Sequence, residues 1–167
     1  MDITVEAVKE VRNRTSAGML DCKKALEQSS GDIARAIEAL REKGYAEAQK
    51  RAERTTADGV IGVYSHHNNR MAAMVELNCE TDFVARTDDF RQLANDLAVH
   101  IAASSPLCLS EEDMPADCPL TAVEACLLLQ PYVRDPSHTI NDIITDAIAR
   151  TGENIKIGKF SRIEVGG

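Results

Sequence analysis

Few residues in this chain have the type and spacing that chemistry requires. His66 and His67 adjoin, and a histidine pair can suggest metal binding. Adjacent residues on a strand point to opposite faces, so one site cannot easily use both, and a surface turn is the simpler reading. Glu111-Glu112-Asp113 reads as a solvated acidic loop. Asp88-Asp89 opens a helix, where the macrodipole favours negative charge. The five cysteines are Cys22, Cys79, Cys108, Cys118 and Cys126. Their number is odd and no C-x-x-C occurs, so neither a disulfide framework nor a zinc site is signalled. They read as reduced thiols of a cytosolic protein, with Cys22, Cys79 and Cys126 packing as small hydrophobes. There is no G-x-x-x-x-G-K, no G-x-G-x-x-G and no H-E-x-x-H. The sequence therefore predicts a non-enzyme with no cofactor and no metal.

Two features instead suit contact with another macromolecule. Met19-Leu20 follows the break Thr15-Ser16-Ala17-Gly18 and lies near Lys9, Arg12 and Arg14 in sequence. Met can fill gaps in a core, but two large apolar groups beside a basic cluster can also form a docking patch. Asp82-Phe83-Val84 sits at a strand-to-helix corner. Composition alone favours a place in the local core for Phe83, one of three Phe residues; display for contact is the alternative.

The elements that must position these residues follow from periodicity. Thr4 caps a helix with Val5, Val8 and Val11 at helical spacing. A second helix carries Met19, Leu20, Cys22, Ala25 and Leu26. Asp32 caps a third with Ile33, Ile37 and Leu40, and Gly44 is predicted to end it. Residues 45–57 lack a clear apolar face and read as a linker or a frayed helix. Val60–Tyr64 and Met71–Leu77 read as a hairpin across His67-Asn68-Asn69-Arg70. Thr87 or Asp88 caps a helix with Phe90, Leu93, Ala94, Leu97 and Ile101. Pro106, Pro115 and Pro119 mark a loop, and 121–129 reads as a short apolar helix. Pro131 and Pro136 bracket an extended piece, Thr139 caps a helix that Gly152 ends, and 156–165 reads as a last strand. The fold class is α+β: three helices over 1–44, a linker over 45–57, and a core over 58–167 with helices packed on a small sheet of about three strands.

Composition agrees with this. The chain has 167 residues, 44% hydrophobic and 28% charged, which excludes wholesale disorder. Aromatic residues make up 4% and Trp is absent, so the core must be aliphatic. Apolar stretches such as 125–129 fall far short of the ~20 residues of a membrane span. No basic-plus-apolar leader opens the sequence, and a cytoplasmic protein is expected. The net charge is −8, placed unevenly: residues 1–54 balance at +1 and residues 55–167 at −9. That asymmetry hints at two modules and argues against nucleic acid as the main partner, since phosphate binding needs a clustered positive field. The acidic part suits a basic protein surface, or serves only solubility.

Four segments resemble signatures of the elongation factor Ts family. They are 14–26 (Arg14-Thr15-Ser16-Ala17-Gly18-Met19-Leu20-Asp21-Cys22-Lys23-Lys24-Ala25-Leu26), 78–86 (Asn78-Cys79-Glu80-Thr81-Asp82-Phe83-Val84-Ala85-Arg86), 129–136 (Leu129-Gln130-Pro131-Tyr132-Val133-Arg134-Asp135-Pro136) and 151–155 (Thr151-Gly152-Glu153-Asn154-Ile155). The match covers nearly the whole chain, in order. The resemblance implies a ubiquitin-associated-like N-terminal module followed by a small antiparallel sheet packed with helices. It implies a guanine nucleotide exchange factor for elongation factor Tu, which binds the GDP-bound and nucleotide-free forms and promotes GDP release so that GTP can rebind.

By the same match, Lys9, Arg12, Met19 and Leu20 would dock on the GTPase domain of Tu. Thr81, Asp82, Phe83 and Val84 would form the intruding corner. In the family the Phe wedges between two helices of that domain and disturbs the magnesium site and the phosphate loop. Short members of the family carry a longer helical stretch before the Leu-Gln-Pro segment, where this chain has only 116–128, and they are thought to dimerise; a homodimer is expected here. A three-helix interaction module without exchange activity would explain residues 1–44 but would leave Thr81-Asp82-Phe83-Val84 idle.

Overall fold

Thr4 accepts the amide of Ala7 at 3.2 Å, and α1 (Val5–Thr15) follows from that cap. These are the first elements of a computed structural model that describes residues 3–15 and 17–166. Ser16 of the first signature lies outside the described residues, as do Asp2 and Gly167. Gly18, in an extended conformation, precedes α2 (Met19–Gln28). Ser30 and Gly31, both at positive φ, turn the chain into α3 (Ile33–Arg51). The Asp32 carboxylate accepts the Arg35 amide at 3.1 Å and caps this helix. The three helices enclose Val8, Val11, Cys22, Ala25, Leu26 and Ala36, all buried.

Gly44 does not end the third helix. The helix continues to Arg51, through most of the stretch expected to be a linker. The reason is packing. A Cβ built on Gly44 would meet Thr145 Cγ2 at 3.9 Å and Ala149 Cβ at 4.0 Å. The glycine thus lies where α3 approaches another helix and keeps helical geometry. By compactness the chain divides into Met1–Glu53 with Thr145–Glu153, and Arg54–Ile144 with Asn154–Gly167.

The second unit is built on an antiparallel sheet in the order β1-β2-β5, with β1 Asp58–Ser65, β2 Met71–Cys79 and β5 Lys156–Glu164. Alternation sorts the sheet into two faces. Ala73, Val75, Leu77 and Cys79 are buried on one side. On that side β1 and β2 contact α5 (Asp88–Ser104), whose buried residues include Phe90, Leu93, Ala94, Leu97 and Ile101. A Cβ on Gly62 would collide with the Ala94 carbonyl oxygen, so only glycine lets β1 approach α5 this closely. The hairpin turn uses Asn69 at φ 55° and the Asn68 carboxamide, which accepts the Arg70 amide.

Beyond α5 the segment to β5 is more irregular than its sequence suggests. The expected helix over 121–129 is a single α-helical turn, α6 (Ala122–Ala125), followed by a 3-10 turn at Leu127–Leu129. The extended piece between the prolines is itself a small hairpin, β3 (Pro131–Tyr132) with β4 (Asp135–Thr139), a second sheet that periodicity did not suggest. Buried His100 ties it to α5: its Nε2 lies 3.0 Å from Gln130 Oε1, and its Nδ1 accepts the Val133 amide at 3.3 Å. The Gln130 amide group in turn donates to the Glu124 carbonyl at 2.7 Å. Thr139 and Asp142 cap α7 (Ile140–Thr151) reciprocally, and Gly152 at φ 73° follows the helix.

Candidate functional site

The corner after β2 is one helical turn, α4 (Asp82–Ala85), between a strand and a long helix. Bonds to and from its backbone fix it. Ala85 donates to the Thr81 carbonyl, and Arg86 donates to the Asp82 carbonyl. The Cys79 thiol donates to the Thr81 carbonyl at 3.2 Å. The Thr87 hydroxyl donates to the Val84 carbonyl at 2.8 Å and accepts the Phe90 amide at 3.3 Å, so one side chain closes this turn and caps α5. Before the turn, the Glu80 carboxylate accepts the Asn154 amide at 2.6 Å and faces Arg54 at 3.4 Å. Ala85 anchors the turn in the core.

What this rigid turn displays is Phe83, 80% exposed. The reading that tucks Phe83 into the local core is overturned. The inward positions of the corner are taken by Cys79, Ala85 and Phe90, all buried, and position 83 points away from them. Asp82 beside it pairs with Arg86 at 2.9 Å, one turn on. Thr81 and Val84 are half-buried and flank the ring.

A second apolar display lies in the three-helix unit. Leu20 is 75% exposed and Met19 44%, both in the first turn of α2. The inward face of that helix is filled by Cys22, Ala25 and Leu26, which leaves Leu20 outside. Asp21 next to it pairs with Lys43 at 2.7 Å. That ammonium holds the Asp21 carboxyl below its ordinary range. Lys9 and Arg12 are exposed and lie one turn apart on α1, and no ion pair occupies either among the described residues. Arg14, by contrast, is engaged by Glu10 at 3.1 Å.

Lys9, Arg12, Met19 and Leu20 thus belong to one compact unit, and Thr81, Asp82, Phe83 and Val84 to the other. The outward face of the sheet carries apolar residues that sequence reasoning did not single out. Ile61, Val63, Met74 and Ile163 are all exposed there. Val63 sits opposite Met74, and Ile163 opposite Ala72. The available signal was the apolar character of both alternating sets in β1 and early β2. His66 and His67 lie after the end of β1, so the strand argument that separated them does not apply. Their ring centroids are 4.2 Å apart, and His66 Nδ1 bonds the Tyr64 hydroxyl at 2.9 Å. Among the described residues no group of three or more His, Cys, Asp or Glu side chains stands in metal-holding geometry. No helix among them is long and apolar enough to cross a membrane.

A family model described as elongation factor TS matches residues 2–120. The elongation factor Ts of Fervidobacterium nodosum is 44% identical over 196 aligned positions, which cover 99% of this chain and all of that protein. That of Herpetosiphon aurantiacus is 46% identical over 196 positions, covering 99% of each chain. That of Thermotoga maritima is 43% identical over 194 positions, covering 99% of this chain and 98% of the other. These alignments are longer than the 167 residues of the chain, so the relatives carry residues with no counterpart here.

Proposed function

The chain belongs to the elongation factor Ts family, and from that premise we propose that it is a guanine nucleotide exchange factor for elongation factor Tu. It binds Tu carrying GDP, promotes GDP release, and leaves the nucleotide site open for GTP. The observation that carries this reading is Phe83, held 80% exposed on a turn whose backbone is fixed on both sides. A folded protein gains ~1.5–3 kcal/mol by burying such a side chain. Here that gain is kept for a partner.

The mechanism needs no covalent step. Phe83 enters the GTPase domain of Tu between two helices, with Asp82 beside it and Thr81 and Val84 at the rim. Its contacts are made with the nucleotide-open state of Tu, and a binder shifts an equilibrium only by its differential affinity for the two states. Nucleotide and exchange factor then weaken each other by the same factor. Met19 and Leu20, with Lys9 and Arg12, supply docking energy that does not depend on the nucleotide. The complex forms in the cytoplasm.

The outward sheet face with Ile61, Val63, Met74 and Ile163 supports a homodimer, and hence a 2:2 complex with Tu. Light scattering over a concentration series tests this: a strict monomer and a 1:1 complex would remove the dimer from the account. The exchange reading itself is tested by GDP release from Tu, followed with a fluorescent GDP. The chain is expected to accelerate release in a saturable manner. Binding to Tu without acceleration would leave only the docking role.

A further inference from the structure

Cys108 and Cys126 take no part in either display, yet their sulfurs are 3.3 Å apart. They lie eighteen positions apart in sequence and meet in an isolated parallel bridge. Backbone bonds hold the two arms together on both sides of the pair. Leu107 and Cys108 both donate to the Ala125 carbonyl, Leu127 donates to the Cys108 carbonyl at 2.9 Å, and Leu128 donates to the Leu109 carbonyl at 3.1 Å. Bridged backbones sit about 4.8 Å apart, within the Cα separations that a disulfide spans. To form a bond the sulfurs must close from 3.3 Å to about 2.05 Å.

We propose that Cys108 and Cys126 are a redox-sensitive pair, which a peroxide converts to a disulfide that staples the two ends of the 108–126 segment. The chemistry balances with hydrogen peroxide as oxidant. A Cys108 thiolate attacks the O–O bond, giving a sulfenic acid and hydroxide. The Cys126 thiolate then attacks the sulfenic sulfur, forming the S–S bond and releasing the second hydroxide. The protons lost by the two thiols convert both hydroxides to water. Cys108 is assigned the first step because it is slightly exposed, whereas Cys126 is fully buried.

Burial and the neighbouring Cys126 push the Cys108 thiol up to about 11. The thiolate is therefore scarce at neutral pH and the first step is slow. The pair responds to sustained oxidation and not to a brief pulse. Cys118 packs against the same small cluster and is more exposed. It is the competing thiol in any test. The consequence of the staple is local. The segment it closes contains Pro115, Pro119 and α6, and it leads into Gln130, which holds His100. Joining its ends removes the open states of a loop otherwise closed by backbone bonds and by the small apolar cluster around Cys108, Ala125 and Cys126.

The test uses the full chain, reduced, freed of reductant, and incubated with hydrogen peroxide. An unreduced digest is then read by mass spectrometry, alongside a thermal melt. The expected result is an intramolecular link between the peptides of Cys108 and Cys126. The melting temperature should rise by roughly 5–10 °C and return with dithiothreitol. The rate of linking should increase as pH rises toward 11. Cys118→Ala should keep the link and the shift, and Cys126→Ala should lose both. If Cys108 and Cys126 are still alkylated as free thiols after Cys118 has been oxidised, the proposal is overturned. A link to Cys118 or to another chain overturns it equally. Because the first readout is made on the unsubstituted protein, a variant that fails to fold does not decide the outcome.

Discussion

Leu20 and Phe83 are both large apolar side chains left in solvent, but the two regions hold them differently. Leu20 projects from the first turn of a ten-residue helix whose N-cap, Gly18, makes no side-chain hydrogen bond. Behind it is a core of six small and medium side chains. Phe83 projects from a single turn that could not persist alone, since an isolated turn fixes several residues for little return. The sheet and α5 hold that turn by bonds at Thr81, Val84 and Phe90. Docking tolerates a loosely held contact, because any apolar burial helps. A wedge does not, because it must push without yielding. The firmer framework is where the proposed prying residue sits.

Changing the N-terminal display tests the docking half of that contrast most strongly. Leu20→Ala combined with Met19→Ala should weaken binding to Tu by about tenfold, roughly the loss expected for one good apolar anchor. The rate of GDP release at saturating concentrations should change little. Titration by calorimetry and a saturation series of release rates separate the two effects. A fall in the saturated rate with unchanged affinity would reverse the assignment of docking and wedging.

Acid should distinguish the two regions next. Burial holds the His100 imidazole below its ordinary value, so its neutral form is favoured in the folded protein. The unfolded chain then binds the additional proton. The stabilisation is fully present above the usual histidine value of 6.5 and is lost as pH falls below it. The slope cannot exceed about 1.4 kcal/mol per pH unit for one proton. Asp21, held low by Lys43, begins to cost stability only below 3.8. Between 6.5 and 4.5, the ordinary value below which Lys50 holds the Glu47 carboxyl of α3, the His100 region should loosen while the three-helix core holds. Denaturant melts of the parent and of His100→Asn over this range check it: the parent should show the slope and the variant should not. Equal slopes would show that some other group carries the acid sensitivity.

The smallest effect concerns Gly44. A glycine inside a helix costs about 0.5–1 kcal/mol relative to alanine, and the neighbours of a Cβ here stand at ordinary contact distance. Gly44→Ala should therefore stabilise the protein by about that amount in a urea melt. Destabilisation would mean that Gly44 acts as the helix stop its sequence suggests.

Gly44 also shows why part of the fold was not legible. Caps at Thr4, Asp32, Thr87 and Thr139 were readable because each acts within three residues of itself. The buried set of β2 was readable because alternation is local. Gly44 faces Thr145 and Ala149, about a hundred positions away, and no local pattern reports that approach. The β3–β4 hairpin was hidden because Pro131 and Pro136 suppress the strand signal. At the candidate site the residues could be singled out by type, but not their exposure. Composition alone favoured the core for Phe83, and only the packing of Cys79, Ala85 and Phe90 inside the corner puts it outside.

In the proposed mechanism Phe83 acts on Tu and does not support the fold. The measurement that tests it is the rate of GDP release from Tu at saturating exchange factor, taken for the parent chain and for Phe83→Ala, with thermal melts of both. The saturated rate should fall on the order of 30-fold or more, the size of a hot-spot loss of about 2 kcal/mol. Stability should change by no more than about 1 kcal/mol, against the ~3–5 kcal/mol that a buried Phe would cost. A large drop in melting temperature with near-parental release by the folded fraction would contradict this mechanism, because Phe83 would then belong to the core.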